Sequence, residues 1–506
     1  MTAAPTRETA GHGDTIAVAD LGSNSFHLMV ARVSGDDIQV IDRLREPIRL
    51  AAGLDSERHL QPAVAERALQ CLQRFGQRIQ EIPAQHVRAV GTNTLRKLRN
   101  GQDFMSQAEA ALGHPIEIIS GIEEARLVYG GITHGMSTEP RRLVVDIGGG
   151  STELIIGRGA EPRLMESVSL GCVTHTQRFF ADGIINANRF YRARTAAGVE
   201  LEFLQRQYRK AGWDLAVGSS GSIRGVWRVI VAQGWSKQLI TREALDQTIE
   251  LLLSRRHISE IDFEDLREDR RPIFAGGLAV LAGIFDTLHI ESMEASERNL
   301  REGLIYDLLG RLQLGGGDVR SQSVRAMARR YGVDPRHAED MARTALAIFD
   351  QVADPWSLVP LWRQLLYWAV QLHEVGLTIT HNGYHKHGDY ILRHSDLQGF
   401  SQTEQKLLAT LVRLHRGRFA LDVLNELPVA WVEPIKRMAM ILRLSYLLHR
   451  SRAPDTHPPI RVKTLRRGYE VSFDKAKWLT KRPLTRADLE YEADLLDRAH
   501  LQLKIS

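Results

Sequence analysis

The chain has 506 residues, of which 43% are hydrophobic and 25% are charged. This length is too great for one hydrophobic core and predicts roughly three or four domains of an ordinary globular protein. Two cysteines, Cys71 and Cys172, exclude a disulfide framework and a cysteine-based zinc site, and favour a reducing, cytoplasmic compartment. The polar N-terminus predicts a loose tail rather than a secretory signal, and the apolar run at 274–285 is too short to span a membrane.

Basic residues are concentrated in the C-terminal part. Residues 318–506 contain 29 Lys and Arg against 21 Asp and Glu, whereas residues 1–317 contain 37 against 40. This distribution indicates either contact with an anionic partner or a solvated basic surface. The basic part contains no zinc finger and no basic motif interleaved with aromatic residues, so a specific nucleic-acid binder is disfavoured.

The N-terminal part alternates strands and helices, and then repeats itself. Apolar patterns predict strands at 15–22, 26–33 and 37–44, a helix at about 62–82, strands at 87–92 and 116–120, and a helix at 121–132. The order restarts with strands at 143–149, 153–159 and 163–171, then helical segments, and a strand entering a glycine turn at 215–222. We therefore expect an α/β fold of two similar lobes, at 14–138 and 139–313.

The pattern changes after a glycine-rich break at 314–318. Helical periodicity predicts a mostly α-helical domain at 318–450. A second break at 454–459 lies near the start of a small α+β domain at 451–506, with short strands at 460–474 and a helix at 485–503.

One short motif occurs twice: DLGSNSFHLMVAR begins at Asp20, and DIGGGSTELIIGR begins at Asp146. A strand ending in Asp-aliphatic-Gly before a second strand predicts a tight hairpin whose backbone N–H groups form an anion-binding concavity. Hydroxyls that can add donors belong to Ser23, Ser25, Ser151 and Thr152. Two such turns facing each other would hold a phosphate chain and a Mg²⁺ ion bound by the aspartates, directly or through water.

The segment ISGIEEARL places two adjacent glutamates at a predicted helix start. Ser120 and Glu123 fit a capping box, and the helix dipole favours a carboxylate in the first turn. From the residues alone, Glu123 and Glu124 could serve only to stabilise the start of the helix.

Six segments, taken in chain order, resemble the exopolyphosphatase and guanosine pentaphosphate phosphatase family: DLGSNSFHLMVARV, GTNTLRK, IEIISGIEEARL, VVDIGGGSTELIIG, GSSGSIRG and LREGLIYD. The resemblance implies two ribonuclease-H-like (actin-like) lobes with a cleft between them, then a helical HD-like domain and a small α+β domain. It implies a phosphoric anhydride hydrolase that uses Mg²⁺ to release terminal orthophosphate from inorganic polyphosphate. The alternative substrate is guanosine pentaphosphate (pppGpp), which would give ppGpp, or the enzyme has both activities.

The resemblance also assigns roles to residues. Glu124 matches the general base that takes a proton from the attacking water. The expected Mg²⁺ ligands are Asp20, Asp146 and Glu153. The expected phosphate-binding residues are Ser23, Asn24, Arg96, Gly148, Gly149, Ser151, Gly221 and Ser222. The sequence has no Walker-type P-loop, which disfavours that class of NTPase.

In the helical part, His337 and the pair His373-Glu374 resemble the metal-binding positions of HD-type phosphohydrolases. The defining His-Asp pair is His-Glu here, and the final aspartate is absent from MILRLSYLL. We therefore expect either an HD-like scaffold without catalysis of its own or histidines that only pack helices together. A track for a long polyanion is expected from His385, Lys386, His387, Arg393, Arg413, His415, Arg416 and Arg418.

Other functions stay open at this point. A sugar or acetate kinase of the same superfamily is less favoured, and a sensor that binds guanosine tetraphosphate or polyphosphate with little turnover is a rival. The resemblance implies a homodimer with the C-terminal half in the interface. K⁺ is a candidate activator beside Mg²⁺, and peripheral association with a membrane is an alternative to a purely cytoplasmic location.

Overall fold

The computed structural model describes residues 14–34, 37–99, 101–136, 140–312, 319–452, 458–474 and 478–506. The expected N-terminal tail at 1–13, the break at 314–318 and most of the break at 454–459 lie outside these residues. The chain divides into two compact units, Met1–Gly316 and Gly317–Ser506, and each is described by itself.

The first lobe of the first unit is built on a five-stranded sheet. Its strands are β1 (Asp14–Leu21), β2 (Phe26–Ser34), β3 (Asp37–Glu46), β4 (Val87–Gly91) and β5 (Ile116–Ile118). Its helices are α1 (Pro62–Ile79), α2 (Asn93–Lys97), α3 (Gly101–Leu112) and α4 (Gly121–Thr133). The strand order is β3-β2-β1-β4-β5, in which β1, β2 and β3 are antiparallel and β1, β4 and β5 are parallel.

The second lobe repeats this order. Its strands are β6 (Arg141–Ile147), β7 (Thr152–Arg158), β8 (Glu161–Val168), β9 (Leu215–Ser219), β10 (Leu239–Thr241) and β11 (Ser292–Ala295). Its helices are α5 (Cys172–Phe179), α6 (Ala187–Ala211), α7 (Ser220–Ala232), α8 (Arg242–Leu253), α9 (Phe274–Leu288) and α10 (Leu300–Leu312). The sheet order is β10-β11-β9-β6-β7-β8, so the first lobe's arrangement recurs with β10 added at one edge. The prediction of two similar lobes is confirmed.

Helix α9 explains the apolar run noted in the sequence. Among the described residues, one helical stretch, Glu268–Leu288, is long and apolar enough to cross a membrane, but 78% of its most apolar window is buried inside the protein. Its glycines allow close packing: a Cβ on Gly276 would overlap Thr176 of α5, and one on Gly283 would lie 2.7 Å from Ala197 Cβ of α6. The stretch therefore packs as a core helix of the second lobe.

Helices α4 and α10 pack between the two sheets and join the lobes. Their apolar side chains share one core with residues of both sheets, such as Val18 and Val144. The helices cross at two glycines: a Cβ on Gly303 would overlap the carbonyl oxygen of Leu127, and a Cβ on Gly131 would overlap that of Asn299. Only glycine permits this backbone approach, which sets how the lobes meet.

The second unit has a helical part and a small sheet. The helices are α11 (Val319–Arg330), α12 (Pro335–Val352), α13 (Pro360–Leu372), α14 (Tyr384–His394), α15 (Gln402–Leu414), α16 (Val429–Leu448) and α17 (Pro483–Asp497). The strands are β12 (Ile460–Leu465), β13 (Gly468–Phe473) and β14 (Gln502–Ile505), in that order in the sheet. The prediction of a mostly helical C-terminal domain is confirmed.

The sequence-based helix at 485–503 is wrong at its C-terminal end. Helix α17 stops at Asp497, His500 has a φ of 60°, and β14 then pairs in parallel with β13. Leu501 and Leu503 bury their side chains in a core shared by the helices and the sheet. Alternation of buried and exposed side chains over these few residues fits a strand, and burial on that face overrides the helical pattern that precedes it.

We expect Gly303→Ala to lower the stability of the first unit by about 2–3 kcal/mol, because the new methyl group overpacks the contact with α4. Gly310→Ala, on the same helix with open space around it, should stabilise by about 0.5–1 kcal/mol. Thermal unfolding followed by circular dichroism measures both. Equal stability of the two variants would contradict the close crossing.

Candidate active site

Both copies of the repeated motif form hairpin turns at one end of their lobes. Asp20 at the end of β1 lies opposite His27 of β2, and Asp146 at the end of β6 lies opposite Glu153 of β7. Because directly opposite residues of an antiparallel pair project to the same face, each hairpin presents two side chains together. The repeat is therefore chemically unequal: the second lobe presents two carboxylates where the first presents a carboxylate and an imidazole.

The two turns meet across a cleft. A Cβ on Gly149 would lie 2.9 Å from Ser23 Cβ, and a Cβ on Gly150 would lie 2.7 Å from Asn93 Oδ1. Helix α5 holds the second turn from behind, because the N–H of Cys172 donates to Gly148 O at 2.9 Å. Any side chain at the two glycines would push the turns apart.

The cleft has a volume of about 290 Å³. It is lined by most of the predicted site residues: Asp20, Ser23, Asn24, Glu124, Asp146, Gly148, Gly149, Ser151, Glu153 and Gly221. Two predicted residues lie at its margin. Arg96 lies beside Glu124, with Nη1 3.4 Å from Glu124 Oε2, and Ser222 packs against Gly277 of α9.

Two details of the turns differ from the sequence-based expectation. The Thr152 hydroxyl donates to Leu170 O inside the lobe, so it is already used as a donor. The third glycine turn is a junction of strand and helix, because α7 begins at Ser220 directly after β9. Ser220 has a φ of 83°, and the first turn of α7 lines the cleft, where the free N–H groups of a helix start favour an anion.

Four carboxylates that line this cleft have raised pKa values: Asp20, Glu124, Asp146 and Glu153. Burial raises the pKa of Asp20 to about 6 and the pKa values of Glu124 and Asp146 to about 7. Burial also raises the pKa of Glu153 well above its ordinary value. The neighbouring carboxylates raise these pKa values further, whereas the Arg96 guanidinium partly offsets the rise at Glu124.

The donor set fits Mg²⁺, because the ion prefers oxygen ligands and usually combines one or two carboxylates with water and substrate phosphates. The raised pKa values show that burial disfavours the ionised carboxylates, and a bound dication would stabilise the ionised form. Among the described residues, the one group of three side chains whose ligand atoms lie within 4.8 Å of one another is His337, His373 and Glu374, in the second unit. The cleft carboxylates therefore fit a metal held partly through water and phosphate rather than by a closed protein cage.

A buried ion network fixes the start of α4, which carries Glu124. Ser120 Oγ accepts from the N–H of Glu123 at 3.1 Å, as the capping pattern predicts. The Glu123 carboxylate, only 1% exposed as a residue, accepts two hydrogen bonds of 2.8 Å from Arg126. Glu123 is thus held inside the protein while Glu124, the next residue, lines the cleft.

Asp307 of α10 is the centre of that network. It accepts hydrogen bonds from Arg88 at 2.5 Å and Arg311 at 2.8 Å, and it also pairs with Arg126. Arg88 in turn donates to Glu117 of β5 at 3.0 Å. Three arginines and three carboxylates balance, so charges taken from water are paired and hydrogen-bonded, the condition under which buried ions are tolerated.

Seven arginines that were not predicted as site residues also line the cleft: Arg43, Arg45, Arg224, Arg228, Arg267, Arg270 and Arg301. They come from β3, α7, the segment before α9, and α10, so no local motif joins them. Two of these arginines lie in segments that resemble the family and could have been found there: Arg224 in GSSGSIRG and Arg301 in LREGLIYD. Arg301 Nη1 lies 2.8 Å from His27 Nδ1, and a Cβ on Gly221 would overlap the Arg270 guanidinium.

The sequence profile of the Ppx/GppA phosphatase family matches residues 29–312, and the profile of domain III of the same family matches residues 319–493. The chain belongs to the Ppx/GppA phosphatase family. Its members hydrolyse phosphoanhydride bonds, so the prediction of a phosphoric anhydride hydrolase of this family is confirmed.

Relatives of similar length come from Vibrio species. The guanosine-5'-triphosphate,3'-diphosphate pyrophosphatase of Vibrio vulnificus is 37% identical over 486 residues, 96% of this chain and 97% of that protein. The protein of the same description from Vibrio cholerae is 37% identical over 482 residues, 94% of this chain and 95% of that protein.

Solved structures resemble the first part of the chain. An exopolyphosphatase from Cytophaga hutchinsonii superposes with a TM-score of 0.55 at 21% identity, over 60% of this chain and 100% of that one. A family member from Aquifex aeolicus has a TM-score of 0.51 at 21% identity, over 60% and 99%. These likenesses confirm the two-lobe fold.

The predicted polyanion track is only partly on the surface. His385 and His415 are buried, and burial lowers the pKa of His385 to about 4 and that of His415 well below its ordinary value, so both are neutral near pH 7. Arg393 pairs with Asp389 and Glu426 at 2.6 Å each. The basic character expected of the track therefore comes from its remaining cationic members, which are Lys386, Arg413, Arg416 and Arg418.

We expect Asp146→Asn to stabilise the metal-free protein in a pH-dependent way. The pKa of Asp146 rises from 3.8 to about 7 on folding, so folding takes up a proton between these values and the stability contributed by Asp146 falls as pH rises through them. The stability advantage of the variant should be smallest near pH 4, where Asp146 is largely protonated in both states, and should grow to about 2–4 kcal/mol at pH 8. Thermal unfolding in a chelator tests this, with Asp262→Asn, an exposed carboxylate, as control. A pH-independent difference would contradict it.

Proposed function

We propose that this enzyme removes terminal orthophosphate from a phosphate chain held between the two turns, with Glu124 as the general base. The observation that carries the proposal is the position of Glu124: its carboxylate lines the cleft between both turns and has a pKa of about 7. A base whose pKa lies near the working pH is unprotonated in a large fraction of the molecules and still accepts a proton readily.

In the proposed reaction, Glu124 takes one proton from a water molecule whose oxygen forms a bond to the terminal phosphorus. The bond from that phosphorus to the bridging oxygen breaks, and the shortened chain keeps the electron pair. Backbone N–H groups of the turns and the Arg96 guanidinium hold the terminal phosphate in line with the water. Mg²⁺ at Asp146 and Glu153, with Asp20 near, would neutralise charge on the phosphates.

Guanosine pentaphosphate is the first substrate that we propose. The sequence alone ranked polyphosphate first, but the relatives that match almost the whole chain are described as acting on guanosine 5'-triphosphate,3'-diphosphate. Such a ligand carries two phosphate chains on one nucleoside, a triphosphate at the 5' position and a diphosphate at the 3' position. The carboxylate floor and the seven arginines of the cleft offer sites for a metal-bound 5'-terminal phosphate and for further phosphates.

Inorganic polyphosphate is a second substrate, favoured by the lining of the cleft. The lining contains arginines and polar turn residues, and no Phe, Tyr or Trp side chain for stacking a base appears among its described residues. A site of this composition recognises phosphates rather than a nucleobase. The proposed polyanion track of the second unit would add phosphate contacts for a long chain and so lengthen its residence.

The remaining expectations stay proposals: Mg²⁺ as cofactor with K⁺ as activator, a cytoplasmic location, and a homodimer. For the dimer, Leu484 and Tyr491 lie seven residues apart on α17 and are 82% and 63% exposed. Apolar side chains at this spacing share one helix face, which is typical of a contact surface.

Phosphate release at equal concentrations of cleavable ends should show a higher kcat/KM for guanosine pentaphosphate than for long-chain polyphosphate. Release from polyphosphate should be detectable, because the cleft binds phosphates without requiring a base. The opposite order would move polyphosphate to first place, and tight binding of either compound without release would make the protein a sensor.

Glu124→Gln should lower kcat on both substrates by on the order of a thousandfold, because the amide cannot accept the proton from water. Affinity for the substrate should change little, since the turns that bind phosphate are intact. Glu66→Gln, on the exposed side of α1, is the control and should behave as wild type. Turnover of Glu124→Gln within tenfold of wild type would exclude this residue as the base.

The double variant Lys386→Glu with Arg418→Glu should lower kcat/KM for long polyphosphate about tenfold and leave short chains unaffected, because a short chain has no phosphates beyond those that the cleft holds. The matched control reverses two exposed charges elsewhere on the second unit, with Arg336→Glu and Lys406→Glu. An equal loss in both double variants would assign the effect to net charge alone.

A further inference from the structure

A second cluster of ligand side chains lies in the second unit and includes no residue that takes part in the proposed reaction. His337 is on α12, and His373 and Glu374 directly follow α13. His337 Nε2 is 4.0 Å and His373 Nε2 is 3.8 Å from the same oxygen, Glu374 Oε1. All three residues are buried.

The hydrogen bonding of His373 leaves a lone pair aimed into this cluster. Its Nδ1 lies 2.7 Å from the carbonyl oxygen of Val370, which only accepts, so Nδ1 carries the proton. Nε2 is then the unprotonated nitrogen. His373 is 0% exposed, and its Nε2 has no hydrogen-bond partner among the described residues. A buried polar atom left unpaired is costly, and a backbone bond on the opposite ring nitrogen is how proteins orient histidine ligands for a metal.

The spacing is close to that of a bound metal. Ligand atoms of a tetrahedral zinc-type ion lie about 3.3 Å apart, given bond lengths of about 2.0–2.2 Å. The two nitrogen–oxygen distances exceed this value by about 0.5–0.7 Å. Small side-chain rotations that shorten both distances by this amount would bring the three ligand atoms to the spacing of a bound ion.

Arg452 is placed where it competes with such an ion. Its guanidinium pairs with Glu374 Oε1, the oxygen that both histidine nitrogens approach, and Nη1 lies 3.8 Å from Asp334 Oδ2 at the start of α12. The Arg452 side chain is 46% exposed, so it can leave for solvent, whereas the three ligand side chains cannot. The Arg452 guanidinium thus pairs with the carboxylate oxygen that a dication would bind.

We propose that His337, His373 and Glu374 form a binding site for a transition-metal dication of the Zn²⁺ class, and that Arg452 competes with the ion for Glu374. Two imidazole nitrogens and one carboxylate oxygen select Zn²⁺, Co²⁺ or Ni²⁺ over Mg²⁺, which prefers oxygen. The site therefore differs chemically from the carboxylate cleft of the first unit.

Cobalt binding to the full-length, chelator-treated protein tests the proposal. Tetrahedral Co²⁺ with nitrogen ligands absorbs strongly in the visible range, whereas Co²⁺ on the oxygen ligands of the cleft absorbs weakly, so the two sites are distinguished. We expect one strongly absorbing ion per chain in the wild type. Arg452→Gln should bind it about tenfold more tightly, because the competing ion pair is gone. Mg²⁺-dependent phosphate release should not change in Arg452→Gln.

Glu374→Gln and His373→Asn should abolish the strong absorption, and His394→Asn, an exposed histidine of the same unit, should keep it. Arg452→Gln removes only a half-exposed side chain, so it tests the site even where the buried variants fail to fold. Absence of the strong absorption in a folded Arg452→Gln protein overturns the proposal. Equal affinity in the wild type and Arg452→Gln overturns the role of Arg452.

Discussion

The burial of four carboxylates in one cleft is the constraint on which the rest of the first unit depends. Asp20, Glu124, Asp146 and Glu153 are brought to one cleft, and burial raises the pKa of each. Such an arrangement opposes folding unless the surrounding structure holds it in place. The site therefore lowers the stability of the fold, and the proposed Mg²⁺ ion would offset part of that cost by neutralising the carboxylates.

The buried ion network around Asp307 holds the start of α4, and therefore Glu124, in a fixed position. It joins β4, β5, α4 and α10 with three arginines and three carboxylates, next to the close glycine crossing of α4 and α10. Within one helical turn, Glu123 accepts two hydrogen bonds of 2.8 Å from Arg126, whereas Glu124 has a longer contact of 3.4 Å with Arg96. Glu123 fixes the helix start, and Glu124 keeps a carboxylate whose pKa suits proton transfer near neutral pH.

Most of the fold could be predicted from the sequence, because the repeated Asp-Gly-Ser turns mark the same strand order twice. Asp146 and Glu153 follow from the motif, since opposite strand residues share a face. The arginines of the cleft could not be predicted, as Arg45, Arg228 and Arg270 come from segments that only the tertiary fold brings together. His385 and His415 were assigned to a surface track because a sequence does not show burial, and β14 was missed because its pairing with β13 is set by the core.

The mechanism is tested most directly by one turnover in water labelled with heavy oxygen, followed by mass analysis of both products. If Glu124 directs water to the terminal phosphorus, one labelled oxygen appears in the released orthophosphate and none in the shortened chain. Label in the shortened chain would show attack at the next phosphorus and would contradict the account.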